Sequence, residues 1–244
     1  YENEIAAVIL QSPNKFGLIE SWSDVKNRIS NAKTLLVSVS DPVSLSLLKS
    51  PGECGADIFV GEGQSIGNHM NYGGPMIGLM AIKEKYKRRM PGRIIGKTVD
   101  NKNNVGFVLT LQTREQHIRR ANATSNICTN QGLLALRSAI YLSLMGKNGL
   151  PYVANLCYQK AQYAGNRISK INKYTLLYSK NFLKEFIIKT ELSAEKVIRH
   201  CESNGILIAG VPMDDSNSLL QIAVTEKRTK KEIDLLISTL KEID

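Results

Sequence analysis

Short apolar runs closed by turn residues recur along the first half of the chain. Residues 4–13 (EIAAVILQSP) form one such run, stopped by Ser12-Pro13, and predict a buried strand. The stretch Ser21-Trp22-Ser23-Asp24 has the spacing of a capping box, and Val25 and Ile29 share one face of the short helix that follows. A second strand is predicted over 34–42, a short helix from Pro42, and a third strand over 56–63. Strands alternating with helices imply parallel pairing in an α/β sheet. Ligands of such sheets gather at the carboxyl ends of the strands, where Asp41 and the loop after Gly61 fall.

Further along, 74–83 reads as another strand, and 90–112 as a loop followed by a hairpin turning at Asn103-Asn104. Residues 124–149 predict a long helix. Its Leu133, Leu136, Ile140 and Leu144 recur at helical spacing, with Leu134, Tyr141 and Met145 beside them, so the helix is apolar over most of its surface and a buried helix is expected. A second helix is predicted over 150–168, with Pro151 in its first turn. The pattern then changes to a β-α-β-β-α unit: a strand over 181–192, then a helix capped by Ser193 and stopped at Gly205. Two strands follow around an Asp-Asp-Ser-Asn turn, then a last helix with a Thr229-x-x-Glu232 capping box. This predicts two domains, 1–146 and 147–244.

Hydrophobic residues make up 43% of the 244, enough for a sizeable core. No apolar run reaches the roughly 20 residues of a membrane span, so no membrane partner is expected. Tyr1 opens the chain in mid-strand without a signal-peptide pattern, which reads as a piece of a longer cytoplasmic protein. Cys54, Cys128, Cys157 and Cys201 lie far apart and are expected as free thiols, and neither they nor the three histidines have metal-ligand spacing. The formal charge is +10 and uneven: residues 83–120 hold eleven Lys or Arg against three acids, a net +8. Clustered charge points to an anionic ligand, a partner surface or nucleic acid, or to a solvated basic face. Only Tyr86 and Phe107 interleave with it, too few for stacking bases, so a nucleic-acid-binding module is the weaker alternative.

Two stretches carry candidate chemistry. Residues 55–75 hold six of the eighteen glycines. The loop has neither dinucleotide-fingerprint spacing nor the Gly-Lys-Ser/Thr of a P-loop, and it contains no lysine. It is equally a packed glycine turn. Residues 113–131 place Arg114, His117, Arg119 and Arg120 before a helix start at Thr124-Ser125-Asn126. That is an anion-site pattern, or an ordinary cap with surface arginines.

The motifs QSPNKFG (11–17), GADIFVGEGQ (55–64), GGP (73–75), MPGRIIG (90–96), LQTREQHIRR (111–120) and ATSNICTNQ (123–131) occur in order. Together they resemble the glycine-cleavage P-protein, or glycine decarboxylase, and more closely subunit 1 of its two-subunit bacterial form. The likeness is dense over 4–150 and thinner beyond. It implies an aspartate-aminotransferase-like fold (fold type I of the pyridoxal-phosphate transferases), here part of the large domain plus a small α+β domain. It implies an enzyme that decarboxylates glycine with pyridoxal phosphate and passes the aminomethyl group to the lipoyl arm of the H-protein, working with subunit 2 in a hetero- or homo-oligomer.

Carried over residue by residue, the resemblance puts the Schiff-base lysine of the catalytic subunit at about Gln64-Ser65. Neither residue can form an imine. This chain is therefore expected to be catalytically silent alone. Asp41 falls where such enzymes hold an aspartate against the pyridinium nitrogen, as a possible relic. Thr124, Ser125 and Asn126 are expected to bind the partner's cofactor phosphate. Arg114, His117 and Arg119 are expected to shape the glycine-carboxylate or lipoyl entrance. The alternative is an independent pyridoxal-phosphate enzyme using Lys83 or Lys85, which otherwise read as solvated surface residues.

Overall fold

A computed structural model describes residues 4–123, 131–178, 182–211 and 216–243. Strand β1 (Ala7–Gln11), helix α1 (Trp22–Arg28), β2 (Leu35–Val39), α2 (Pro42–Leu45), β3 (Ile58–Glu62) and β4 (Gly78–Ile82) come first. They build a four-stranded sheet in the order β1-β2-β3-β4. The first three strands are parallel, with Val8 opposite Leu36 and Val37 opposite Ile58, as the alternating pattern predicts. The fourth returns antiparallel, with Val60 opposite Met80. The glycine loop between β3 and β4 holds no helix to carry the chain back for another parallel strand. Ser21 caps α1 by accepting from the Asp24 amide at 3.2 Å, and the Trp22 indole reaches the Leu10 carbonyl at 3.2 Å.

The hairpin of β5 (Ile94–Val99) and β6 (Val105–Thr110) turns at Asn103, whose φ of 61° suits asparagine. A short α3 (Gln116–Arg119) precedes α4 (Gly132–Ile168). The two helices predicted over 124–168 are joined in α4, broken inside only at Gly146, where φ is 61°. Then come β7 (Tyr174–Leu176), β8 (Glu185–Thr190), α5 (Ala194–Ser203), β9 (Ala209–Gly210), β10 (Leu219–Ala223) and α6 (Lys230–Lys241). The second sheet, ordered β7-β8-β10-β9, is antiparallel throughout. Thr229 and Glu232 form the predicted capping box reciprocally. Ser193 does not cap α5 with its side chain; its hydroxyl accepts instead from the Asn217 amide at 3.0 Å.

The two sheets differ in how well they are buried. Phe182, Phe186, Ile188, Leu220, Val197, Ile237 and Leu240 sit in one large core between the second sheet, α4, α5 and α6. Among the described residues, the cluster around the first sheet has Trp22, Leu36 and Ala56 buried, with Val8, Leu10, Val25 and Ile29 among those half-buried against it. A parallel sheet is stable when both faces are covered, yet Ile9 on β1 is 69% exposed. The expectation of a buried helix at 133–144 also fails: Leu133, Leu136, Ile140 and Leu144 are exposed, Leu144 to 83%. Only Leu134 and Ser138 of that part of α4 are buried, because within this chain α4 meets the glycine loop and α2 along one line. Apolar spacing all round a helix calls for neighbours on every side, and here most sides have none.

Candidate functional site

A cleft of about 1100 Å³ opens at the carboxyl ends of β1, β2 and β3. Its floor includes Gln11, Ser40, Asp41 and Glu62, its wall is Arg137 to Leu144 of α4, and Lys184 and Glu226 close it from the second sheet. This is the end of the sheet where the strand pattern placed a ligand.

Asp41 is the most connected group in it. At the end of β2 it caps α2, accepting from the Val43 amide at 3.3 Å and the Ser44 amide at 2.9 Å. The Ser44 hydroxyl donates to it at 2.6 Å and the Ser65 hydroxyl at 2.9 Å. The Lys184 ammonium pairs with it at 2.9 Å. Burial works against the charged carboxylate, but Lys184 and the Ser44 hydroxyl more than offset this and hold Asp41 below the ordinary carboxylate range.

The glycine loop places Gln64, Ser65 and His69 on the cleft. Two of its glycines, Gly61 and Gly67, serve close approach. A Cβ on Gly61 would lie 2.6 Å from the Ser40 carbonyl oxygen, and one on Gly67 would lie 2.7 Å from the Cβ of Tyr141 on α4. Asn68 ties the loop to α4 through the Ser138 hydroxyl at 2.7 Å. The loop is thus a packed glycine turn and also the rim of the cleft.

The other predicted residues lie elsewhere. Arg114 is 6% exposed and does not line the cleft. Its guanidinium donates to the carbonyls of Met90 and, at 2.6 Å, Gly92, and so holds the chain entering β5. His117 and Arg119 are exposed on α3. Thr124, Ser125 and Asn126 lie outside the described residues. Lys83 is not simply solvated, whereas the Lys85 side chain is 61% exposed. They sit at the opposite end of the sheet, 3.0 and 3.7 Å from buried Asp57, which also pairs with Lys26 at 3.2 Å and accepts from the Leu36 amide. Burial disfavours the Asp57 anion, but the Leu36 amide and the Lys83 and Lys26 ammonium groups bring its carboxyl down to about 2. That geometry removes Lys83 and Lys85 from the cleft and with them the alternative Schiff-base reading.

Lys184 and Glu226 escape the sequence reading altogether, and Cys157, expected there only as a free thiol, is one and also lines the cleft. Lys184 lies in an apolar strand run with no motif around it, and only the docking of the second sheet brings it to Asp41. The Cys157 thiol faces the Glu226 carboxylate at 3.4 Å and accepts from its amide at 3.2 Å. Among the described residues no group of His, Cys, Asp and Glu could hold a metal ion, and no helix is long and apolar enough to cross a membrane.

An open α/β sheet with a ligand-type cleft at its strand ends, flanked by a small antiparallel sheet, is the fold-type I architecture of pyridoxal-phosphate enzymes. A NifS-like protein from Rickettsia africae is similar to it at TM-score 0.66 and 11% identity, over 97% of this chain and 61% of that one. The profile of the glycine cleavage system P-protein matches residues 1–240, and the chain belongs to that family. It is 48% identical over 240 residues to a probable glycine dehydrogenase (decarboxylating) subunit 1 of Chlorobium limicola, covering 98% of this chain and 54% of that protein. The counterpart from Desulforamulus reducens is 47% identical over 243 residues. An inhibitor-bound crystal structure of glycine decarboxylase (P-protein) superposes with TM-score 0.91 at 39% identity, over 98% of this chain and 55% of that one. The chain spans about half the length of the curated relatives it matches.

Proposed function

We propose that this chain contributes the half of a glycine decarboxylase that lacks the Schiff-base lysine. In this reading residues 1–146 belong to the large domain and 147–244 form the small one. A second subunit bears the pyridoxal phosphate, and the assembled enzyme decarboxylates glycine and hands the aminomethyl group to the lipoyl H-protein. The observation that supports it is the loop after β3. At about the place where the family resemblance calls for a Schiff-base lysine stand Gln64 and Ser65, and the Ser65 hydroxyl is turned to Asp41 at 2.9 Å.

The residues of this chain's own cleft do not fit the cofactor. No amine on the loop can form the imine, and Asp41 already accepts from five donors, against the roughly four lone-pair sites of a carboxylate. Nothing is left on it for a pyridinium N–H. The chain's part is then to complete a neighbour's site. Thr124, Ser125 and Asn126 would supply hydroxyl and amide donors to the phosphate held by the partner. His117 and Arg119, exposed and cationic or polar, would face the entrance, while Arg114 holds the segment that carries them.

The test is glycine-dependent exchange of labelled carbon dioxide. The chain alone is expected to be inactive, and adding the catalytic subunit is expected to give exchange. Thr124→Ala is expected to weaken cofactor affinity in the assembled enzyme. Unchanged affinity removes the phosphate role, and exchange by the isolated chain overturns the reading as a whole.

A further inference from the structure

The ion pair of Asp41 and Lys184 joins two parts of the molecule that are far apart in sequence. Asp41 ends β2 of the first sheet, and Lys184 immediately precedes β8 of the second. The pairs of Asp57, Arg199, Arg228 and Lys230 each stay within one half. Lys184 and Asp41 are both mostly buried, at 21% and 24% exposure. Ser65, from the glycine loop, donates to the other oxygen of the same carboxylate. Three chain segments therefore converge on one carboxylate at the floor of the cleft.

We infer that Lys184 is a built-in counter-cation. It occupies the position against Asp41 that the positive group of a bound ligand would otherwise take, and it fastens the second sheet across the cleft. The contact has the chemistry for this. A half-buried ammonium on a carboxylate is screened less than a surface pair, and removing either partner strands the other charge in a poorly solvated place. The neighbouring contacts hold the two halves at the same edge: Leu18 bridges to Phe182, and the Gln221 amide donates to the Lys15 carbonyl at 3.1 Å. With Lys184 in place the cleft needs no ligand to balance Asp41. The link to a former cofactor position rests on the family reading above; the fastening rests on the geometry alone.

Competitive acetylation at pH 8, read lysine by lysine by mass spectrometry, tests it. An amine whose side chain is only 21% exposed and is turned onto a carboxylate at 2.9 Å is reached slowly by the reagent. Lys184 is expected to label severalfold less than exposed Lys97 in the unaltered chain, and to rise severalfold in Asp41→Asn. Ser65→Ala, which leaves the pair intact, is expected to keep Lys184 protected. Hydrogen exchange gives a second readout that does not depend on Asp41 variants folding well: Lys184→Met is expected to speed exchange at both 41–45 and 185–188. Labelling of Lys184 at the rate of Lys97, or faster exchange confined to 185–188, overturns the inference. A borohydride-reduced pyridoxal phosphate adduct centred on Lys184 overturns it together with the reading that this chain lacks a Schiff-base lysine. Failure of carbon dioxide exchange with the catalytic subunit overturns only the proposed function.

Discussion

Gly67 lies against Tyr141 so closely that a Cβ on the glycine would come within 2.7 Å of the tyrosine Cβ, with the Arg137 carbonyl oxygen 3.3 Å away. Its φ of 87° is also one that a side chain resists. Gly67→Ala is therefore expected to destabilise the chain by about 2 kcal/mol through strain and crowding together. Urea denaturation checks it, and an unchanged midpoint would mean that the loop does not pack on α4 as described.

The Asp57 carboxylate at the other end of the sheet sets an acid limit. Its folded pKa is below its unfolded one, so its contribution is complete above about pH 4 and is lost as pH falls toward 2. Asp57→Asn should cost about 3 kcal/mol at neutral pH, because it leaves Lys26 and Lys83 without their shared anion. The difference from the unaltered chain should shrink as pH is lowered through that window, which thermal melts at stepped pH would show.

Cys157 should be an inert thiol. Burial, and the facing Glu226 carboxylate, push it up to about 11 despite the hydrogen bond from the Glu226 amide. At pH 8 only about one molecule in a thousand carries the thiolate. Iodoacetamide should modify Cys54 well before Cys157 or Cys201, which is likewise pushed up to about 11 by burial. Peptide mapping of the alkylated chain reads the order directly.

The exposed apolar face of α4, which borders the cleft at Leu144, predicts a dissociation between stability and stickiness. Leu133 and Leu144 are 72% and 83% exposed, so Leu133→Glu and Leu144→Glu should each change the unfolding free energy by no more than about 0.5 kcal/mol. The same pair should markedly reduce binding of a hydrophobic dye and self-association in sedimentation, since contiguous exposed apolar residues mark contact surfaces. A large loss of stability would show that the face is covered within the chain.

Thr229→Ala removes one half of a reciprocal cap, whose hydroxyl accepts from the Glu232 amide at 3.2 Å. About 1 kcal/mol of stability should go with it. Because α6 closes the large core, global denaturation should report the loss in full.

The local grammar of the chain was readable wherever the signal lay within a few residues. Strand ends near Asp41 and Glu62, the caps at Ser21 and Thr229, and the hairpin at Asn103 all depend on neighbours in sequence. The reading failed where distant partners decide. Ser193 looked like a cap, but its hydroxyl is engaged by Asn217. Lys83 looked solvated, yet a buried aspartate 26 positions earlier holds it. The apolar spacing over 133–144 correctly marks a helix that asks for neighbours. It could not say that this chain leaves them unsupplied.

The amino-acid sequence by itself determined the kind of sheet, its ligand-bearing end and the absence of a lysine after β3, because periodicity, turn chemistry and residue identity are local properties. Only the tertiary structure decided what fills the place of that missing chemistry. Lys184 carries no pattern of its own. It becomes part of the cleft because the second sheet docks across the first, and because a carboxylate at the end of β2 needs a cation once water is removed.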